Sequence, residues 1–492
     1  MARREAGRTG LRLVFGASGY VGRHLTPQLA AAGLPVRAAA RRLAPLVAEG
    51  WRGVGLVAAD ALRPETLRPA LAGVDVAYYL VHSMAGGRGF AERDRRAAAA
   101  FAEAAAEAGV RRIVYLGGLA PANADTAHLA SRVETGDILR RGPVPVTELR
   151  AGIIVGPGSA AFEVMRDLVA HLPAMVTPRW VRVASPPVAL DDLLDDLVAL
   201  PDLPGTAGAV FETGGPERLT YEQMMRRLAR ALGRRDLLIL PVPFLTPTLS
   251  AYWLDLVTSV PAPIARALIG GLRHDLTADD RALRAVLPRA CMGFDAAVER
   301  ALERERGIVS TDRWREGAFD LRGGRHERSF YGKRMTRAVD AGASPGAVWR
   351  ALGALGTPDA GHFFVEPVWR LRAWADRRLG GDQAPPRARG SFAVGDRFGF
   401  WRVHAVAPGA RLTLVSTLRA PGCGGLEIEI ERPERQADPG ARVVATIHWH
   451  PDGVWGLLYW FALWLPHAVM LRGFVRALAL KAGRPSAYDR IS

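Results

Sequence analysis

Lysine is nearly missing from this chain. Lys333 and Lys481 are the whole complement, which leaves 63 arginines among the 65 basic residues. The formal net charge of +16 therefore comes from arginine. These arginines are scattered through an alanine-rich sequence and form no basic stripe interleaved with aromatics, which excludes the groove of a single-strand nucleic-acid binder. The positive balance stays compatible with anionic membrane surfaces or phosphorylated ligands. Cysteine is scarce too. Cys291 and Cys423 lie far apart and in no metal-spaced cluster, which excludes a disulfide framework and fits a reducing, cytoplasmic setting. The basic start, MARREAGRTG, has no apolar core behind it, so no secretory signal is expected. Clean membrane spans are lacking as well. Gly453–Leu471 runs 19 residues without Asp, Glu, Lys or Arg, but Pro466, His467 and three tryptophans interrupt it. Leu237–Leu254 runs 18 residues and is broken by Pro241, Pro243 and Pro247. Both are expected to be buried in a soluble fold, with peripheral membrane contact as the second reading.

Against these absences stands one dense signal, Leu11–Gly22 (LRLVFGASGYVG). An apolar run ends in Gly16, Gly19 and Gly22, spaced G-x-x-G-x-x-G. A helical pattern follows, with Leu25, Leu29 and Ala32 on one face. Strand, glycine turn and helix is the order a dinucleotide site needs. The first glycine permits a tight turn, the second lets backbone approach a pyrophosphate, and the third lets the helix pack close to the strand. The helix N-terminus then faces the phosphates. Gly16, Ser18, Gly19, Tyr20, Val21 and Gly22 are therefore candidate cofactor contacts.

Strand and helix signals continue to alternate. Strands are expected at Val36–Ala40, Val54–Ala59, Val74–Val81, Arg112–Leu116 and Val144–Leu149, and helices at Asp94–Ala108 and His128–Arg141. That grammar implies an α/β fold, a Rossmann doubly wound parallel sheet. A chain of 492 residues exceeds one ordinary core. We expect an NAD(P)-binding domain over 11–310, its substrate cap mainly 157–310, and a second domain over 325–485. Asp191, Asp192, Asp195 and Asp196 read as a solvated helix start. Past residue 325 the pattern turns α+β, with strands at Thr336–Val339, Ser391–Val394, Phe398–Ala407, Leu412–Leu418, Gly425–Glu431 and Ala441–His450. A helix is expected at Pro345–Leu355, a loop at Gly380–Gly390, and one long apolar helix from Val454 to Ala482.

GASGYVG, the Arg41-Arg42 pair after the second strand, Asp60 after the third, and RIVYLGGL followed by HLASRVETGDIL resemble the extended and atypical short-chain dehydrogenases. The NmrA-like and complex-I-subunit-like branch is nearest, and the resemblance covers residues 11–305. At the end of the second strand an acid would bind the adenosine ribose and repel a 2′-phosphate; VRAAARR has none and offers Arg41 and Arg42 instead, which favours NADP over NAD. The resemblance places Asp60 at the adenine and His82 and Ser83 near the cofactor. It also implies a Tyr-x-x-x-Lys pair and an upstream serine for catalysis. The matching positions hold His128 and Arg132, and the serine position reads Gly117-Gly118-Leu119. His128 could move a proton and Arg132 hold a ribose; Tyr115 or Ser131 could serve instead, or no relay exists.

The order of elements in the C-terminal domain resembles the helix-grip fold of START and polyketide-cyclase-like proteins. This implies a cavity for a small hydrophobic molecule, lined by Phe398, Phe400, Trp401, Trp449, Trp455, Tyr459, Trp460, Phe461 and Trp464; the same residues suit a plain core. His448 and His450 share a strand face without a third ligand, so no metal site is expected. Two functions stay open. One is an NADP-dependent oxidoreductase with a degenerate Ser-Tyr-Lys set, acting on a hydrophobic carbonyl, enone or polyprenyl-like substrate. The other is a non-catalytic NADP(H)-binding sensor or scaffold. Lipid handling at a membrane face is a third.

Overall fold

The computed structural model describes residues 10–82, 89–120, 127–235, 237–242, 253–271, 275–311, 313–388, 390–432 and 440–483. The chain forms two compact units, one of residues up to 165 with 174–302, the other of residues 166–173 with 303 onward. The division thus falls at 302/303, where domains over 11–310 and 325–485 were expected, and parts of two helices count with the second unit.

The first unit opens with β1 (Leu11–Phe15), α1 (Tyr20–Ala31), β2 (Val36–Ala40), α2 (Ala44–Val47), β3 (Val54–Ala58), α3 (Leu67–Leu71), β4 (Val74–Tyr79), α4 (Phe90–Glu107), β5 (Arg112–Gly118), α5 (Ala127–Arg141) and β6 (Val146–Ala151). It continues through β7 (Ile154–Val155), α6 (Ala160–His171), β8 (Ala174–Pro178), β9 (Ala184–Ser185), β10 (Val188–Ala189), α7 (Leu190–Ala199), β11 (Val210–Thr213), β12 (Leu219–Thr220), α8 (Tyr221–Ala231), β13 (Leu238–Val242), α9 (Ala262–Gly271), α10 (Arg281–Val286) and α11 (Phe294–Arg306). A seven-stranded parallel sheet has the order β11-β6-β5-β4-β1-β2-β3. Both faces are covered. Val14, Val76 and Tyr78 join a core with Leu25 and Leu29 of α1 and Leu193 and Leu197 of α7. Leu13, Phe15, Ala77 and Tyr79 join another with Phe101 of α4. A strand buried on both sides explains why β1 reads as a continuous apolar run.

Only part of the acidic cluster of α7 is solvated: Asp195 is exposed and Asp191 half-buried. Asp192 and Asp196 are buried. Asp196 receives Arg284 through two bonds of 3.0 Å, and Arg289 bonds both Asp192 and Asp196. Asp192 also accepts the Met292 N–H at 2.8 Å. These acids turn inward because they fasten the returning segment around α10. Most of the run Leu237–Leu254 lies outside the described residues.

The second unit holds β14 (Lys333–Ala341), α12 (Pro345–Leu352), α13 (Glu366–Arg378), β15 (Arg397–Phe398), β16 (Trp401–Ala407), β17 (Arg411–Ser416), β18 (Gly422–Glu431), β19 (Ala441–Pro451), α14 (Gly453–Ala462) and α15 (Trp464–Ala482). Its antiparallel sheet has the order β14-β19-β18-β17-β16-β15. Leu412, Leu414, Ile428 and Val443 pack with Val348 and Leu352 of α12 and with Leu471, Phe474, Val475 and Leu478 of α15. Elsewhere Trp314 stacks on His448 and His450, with centroids 4.4 and 5.6 Å apart. In this unit Arg166 of α6 pairs with Glu305 at 2.7 Å, both side chains fully buried. Burial opposes the charge on Glu305, yet Arg166, His326 and Arg322 together hold its carboxyl down to about 2.

Three expectations for this unit change. Ser391–Val394 is irregular, and the strand expected over Phe398–Ala407 breaks at Gly399, whose φ is +52°. Helix α13 had no clear signal. The long apolar helix is two helices meeting at Leu463 with a 54° bend, because Pro466 has no N–H and its ring clashes with the carbonyl of residue 462. Among the aromatics, Phe398, Phe400, Trp401, Trp449 and Trp460 are in the packed core and Tyr459 lies against it, whereas Trp455, Phe461 and Trp464 are exposed.

Candidate active site

The glycine turn sits where β1 meets α1. Gly16 has φ +97°, and a Cβ there would lie 3.0 Å from the Leu80 carbonyl and 3.3 Å from Val81 Cγ2. The turn is thus pressed against the end of β4. Gly19 N–H donates to Gly16 O at 2.9 Å, and Gly19 is extended at the start of α1. A Cβ on Gly22 would stand 2.5 Å from Gly16 O and 2.7 Å from Ala17 Cα, so only glycine lets the helix come this near. No side chain caps α1 and its first turn carries no acid, which leaves the electropositive helix end to an anion. This cradle fits a dinucleotide pyrophosphate.

The other expected cofactor contacts distribute as follows. Ser18 is half-buried in the turn, and Val21 packs against the core beside α1. The Tyr20 hydroxyl lies over Gly156, where a Cβ would approach it to 2.6 Å. Arg41 and Arg42 are exposed just past β2. Asp60 accepts the Leu62 N–H at 3.0 Å, and its own N–H donates to Thr66 Oγ1 at 2.9 Å. Ser83 lies outside the described residues.

The densest chemistry is at the C-terminal ends of β4 and β5, the edge where open parallel sheets bind ligands. His82 follows β4. Its Nδ1 is 2.9 Å from Asp94 Oδ2 on α4, and its Nε2 is 2.9 Å from His128 Nδ1 on α5. Ser131 Oγ donates to the same Asp94 oxygen at 3.1 Å. Burial pushes the His82 imidazole below its ordinary range, against the pull of Asp94. Burial, aided by His82 and Arg132, pushes His128 down to about 3. Both rings are therefore neutral near pH 7. With Asp94 ionised, the hydrogen bonds assign protons to Nδ1 of each ring and leave His128 Nε2 as a bare lone pair.

Arg132 does not swing free. Its Nη2 donates to Leu116 O at 2.6 Å, and its side chain crosses Gly118, where a Cβ would meet Nε at 3.3 Å. The glycine at the serine position makes room for this guanidinium. Tyr115 and Ser131 are both buried. Tyr115 spends its hydroxyl on Arg132 O at 2.9 Å, and burial raises its phenol. Sequence reasoning brought His82, His128 and Arg132 to this edge but missed Asp94. A signal existed: Asp94, Ala97, Ala98 and Phe101 share helical spacing, which places the acid on the apolar face of α4.

A family described as NAD(P)H-binding matches residues 16–140. A reductase from Streptomyces griseus, named (4-alkanoyl-5-oxo-2,5-dihydrofuran-3-yl)methyl phosphate reductase, is 32% identical over 276 residues, 54% of this chain and 87% of its own length. The chain belongs to the family of this reductase, with an NAD(P)H-binding N-terminal domain. Solved structures in the same fold include Citrobacter triphenylmethane reductase with NADP(H), 19% identical with a TM-score of 0.49, covering 59% of this chain and 99% of that one. An Escherichia coli NADPH-dependent quinone oxidoreductase with NADPH is 20% identical with a TM-score of 0.48 and the same coverage. Residues 330–474 match a family described only as a protein of unknown function.

Proposed function

We propose that this chain is an NADP(H)-dependent reductase of an apolar carbonyl or enone, with Arg41 and Arg42 receiving the 2′-phosphate. The hydrogen-bonded line Asp94–His82–His128 beside the glycine turn carries this reading. The substrate named for the Streptomyces relative, an alkanoyl-bearing oxo-dihydrofuran that also carries a methyl phosphate, supports an apolar chain joined to a carbonyl system, although its phosphate makes it anionic. Bound NADPH supplies a hydride. The protein supplies the proton. In the donating state Asp94 is protonated and each ring carries hydrogen on Nε2. His128 Nε2–H gives its proton to the substrate oxygen, His82 Nε2–H passes one to His128 Nδ1, and Asp94 passes one to His82 Nδ1. Neither imidazole becomes charged at any point, which suits a site whose burial disfavours imidazolium. A proton entering at His128 Nε2 resets the line in reverse.

Gly117-Gly118 in place of the serine, with Arg132 filling that space, favours a second reading: cofactor occupancy without chemistry, as in a redox sensor. In either reading the second unit is a candidate helix-grip-like holder of a hydrophobic ligand. Titration with NADPH and NADH, followed by fluorescence, and NADPH oxidation over a panel of apolar ketones, enones and quinones separate the two. Binding with turnover supports the reductase; binding with no turnover on any member supports the sensor; no binding of either nucleotide defeats both.

A further inference from the structure

The second unit presents an apolar surface that its own fold leaves uncovered. On α14, Trp455 is 70% and Leu458 53% exposed; beyond the bend, Leu465 is 65% and Val469 54% exposed, with Trp464 beside them. Leu465, Val469, Arg472 and Arg476 recur every three to four residues, so one stripe of α15 passes from apolar to basic. At its basic end a groove of about 310 Å³ between β14 and α15 is lined by Arg337, Arg472 and Arg476 with Val339 and Val475. Among the described residues no carboxylate pairs with these three arginines, and the Arg337 guanidinium bonds only the carbonyl of Thr336. No acidic residue occurs from Gly453 to Gly483. Taken together the bent pair has the length and composition of a membrane segment, yet among the described residues no single helix is long and apolar enough to cross.

Exposed tryptophan and leucine on a bent helix pair suit the headgroup boundary, where amphipathic rings lie in the plane of the membrane. The cationic groove, which no carboxylate among the described residues pairs with, suits a phosphate. We propose that α14 and α15 dock on an anionic lipid bilayer, with Trp455, Leu458, Leu465 and Val469 in the interface and the Arg337–Arg472–Arg476 groove on a lipid phosphate. The proposal is independent of the reductase reading.

Flotation of the full chain with phosphatidylcholine vesicles, with and without phosphatidylglycerol, tests it. The protein floats with the anionic vesicles and is released as salt rises. Arg472→Gln with Arg476→Gln weakens that binding on the order of 30-fold. Trp455→Ser with Leu465→Ser weakens it on both vesicle types. Unchanged near-ultraviolet circular dichroism and thermal unfolding of the full chain show that each variant is folded. The proposal is overturned if the full chain stays soluble with both vesicles or if the arginine pair is indifferent. It is equally overturned if sedimentation finds a dimer that Trp455→Ser with Leu465→Ser dissolves, because a second copy then covers this face.

Discussion

Asp94→Asn tests the proton line directly. Asp94 is 3% exposed and accepts from His82 Nδ1 at 2.9 Å and from Ser131 Oγ at 3.1 Å. Asparagine keeps the volume and one acceptor oxygen, but it carries neither the charge nor a transferable proton. Losing charge assistance in two hydrogen bonds costs roughly 1–2 kcal/mol of stability, so the variant stays folded. The kinetic loss is larger. A positioned acid–base group contributes about 10²–10⁴-fold, so kcat at pH 7 should fall at least about 100-fold. NADPH affinity should hardly change, because Asp94 is buried behind His82. Ser131→Ala is the control: it removes one bond to the same carboxylate but leaves the proton path, and should cost only about 5-fold. The assay is the decay of NADPH absorbance with whichever panel compound turns over, read from pH 5 to 9, alongside imidazole nitrogen NMR. The spectrum should show both rings neutral at pH 7. Turnover by the asparagine variant within about 3-fold of wild type, or an equal loss in Ser131→Ala, would refute the relay.

Other changes test the cradle, the cofactor choice and the buried histidines. Gly22→Ala drives a Cβ into the backbone of Gly16 and Ala17 and should cost roughly 1–3 kcal/mol in a thermal melt, whereas Gly19→Val should keep most of the melting temperature and lose NADPH binding in titration. Arg41→Ala and Arg42→Ala should each lower NADPH affinity about 10-fold and leave NADH nearly unchanged; an unaltered NADPH:NADH ratio would remove both from the 2′-phosphate. Burial pushes His450 down to about 3, against about 6.5 unfolded. Its contribution is therefore complete above pH 6.5 and is lost as pH falls toward 3, about 2 kcal/mol of it between pH 7 and 5. Calorimetry should show His450→Asn narrowing the pH 7 to pH 5 difference by roughly that amount, and an unchanged difference would contradict the burial argument.

The parallel sheet was legible because its signals are local: a glycine triplet after an apolar run, then strands buried on both faces at regular intervals. Its edge residues His82, His128 and Arg132 could be assigned from spacing and resemblance. Their mutual contacts could not. Asp94 lies 12 residues from His82, and His128 lies 46 away, so only the sheet order brings them together. The acids of α7 misled for the same reason: a solvated helix start and a clamp for Arg284 and Arg289 look alike until the distant arginines are placed. In the second unit the apolar run hid a proline bend, since composition counts residues but not missing N–H groups.

Helix α6 has a consequence for how the protein is made. Arg166 has its carboxylate partner, Glu305, 139 residues downstream. At a ribosomal pace of 5–20 residues per second, Arg166 emerges roughly 7 to 28 seconds before the group that neutralises it. His171, bonded to Ser329 at 3.1 Å, waits longer still. A nascent chain holding a nearly complete nucleotide-binding sheet therefore carries, on a helix meant for burial, a cation whose Glu305 carboxylate has yet to be made. Truncation after residue 302 makes that condition permanent. The N-terminal portion should consequently depend on chaperones when expressed without the remainder, even though its sheet is contiguous in sequence.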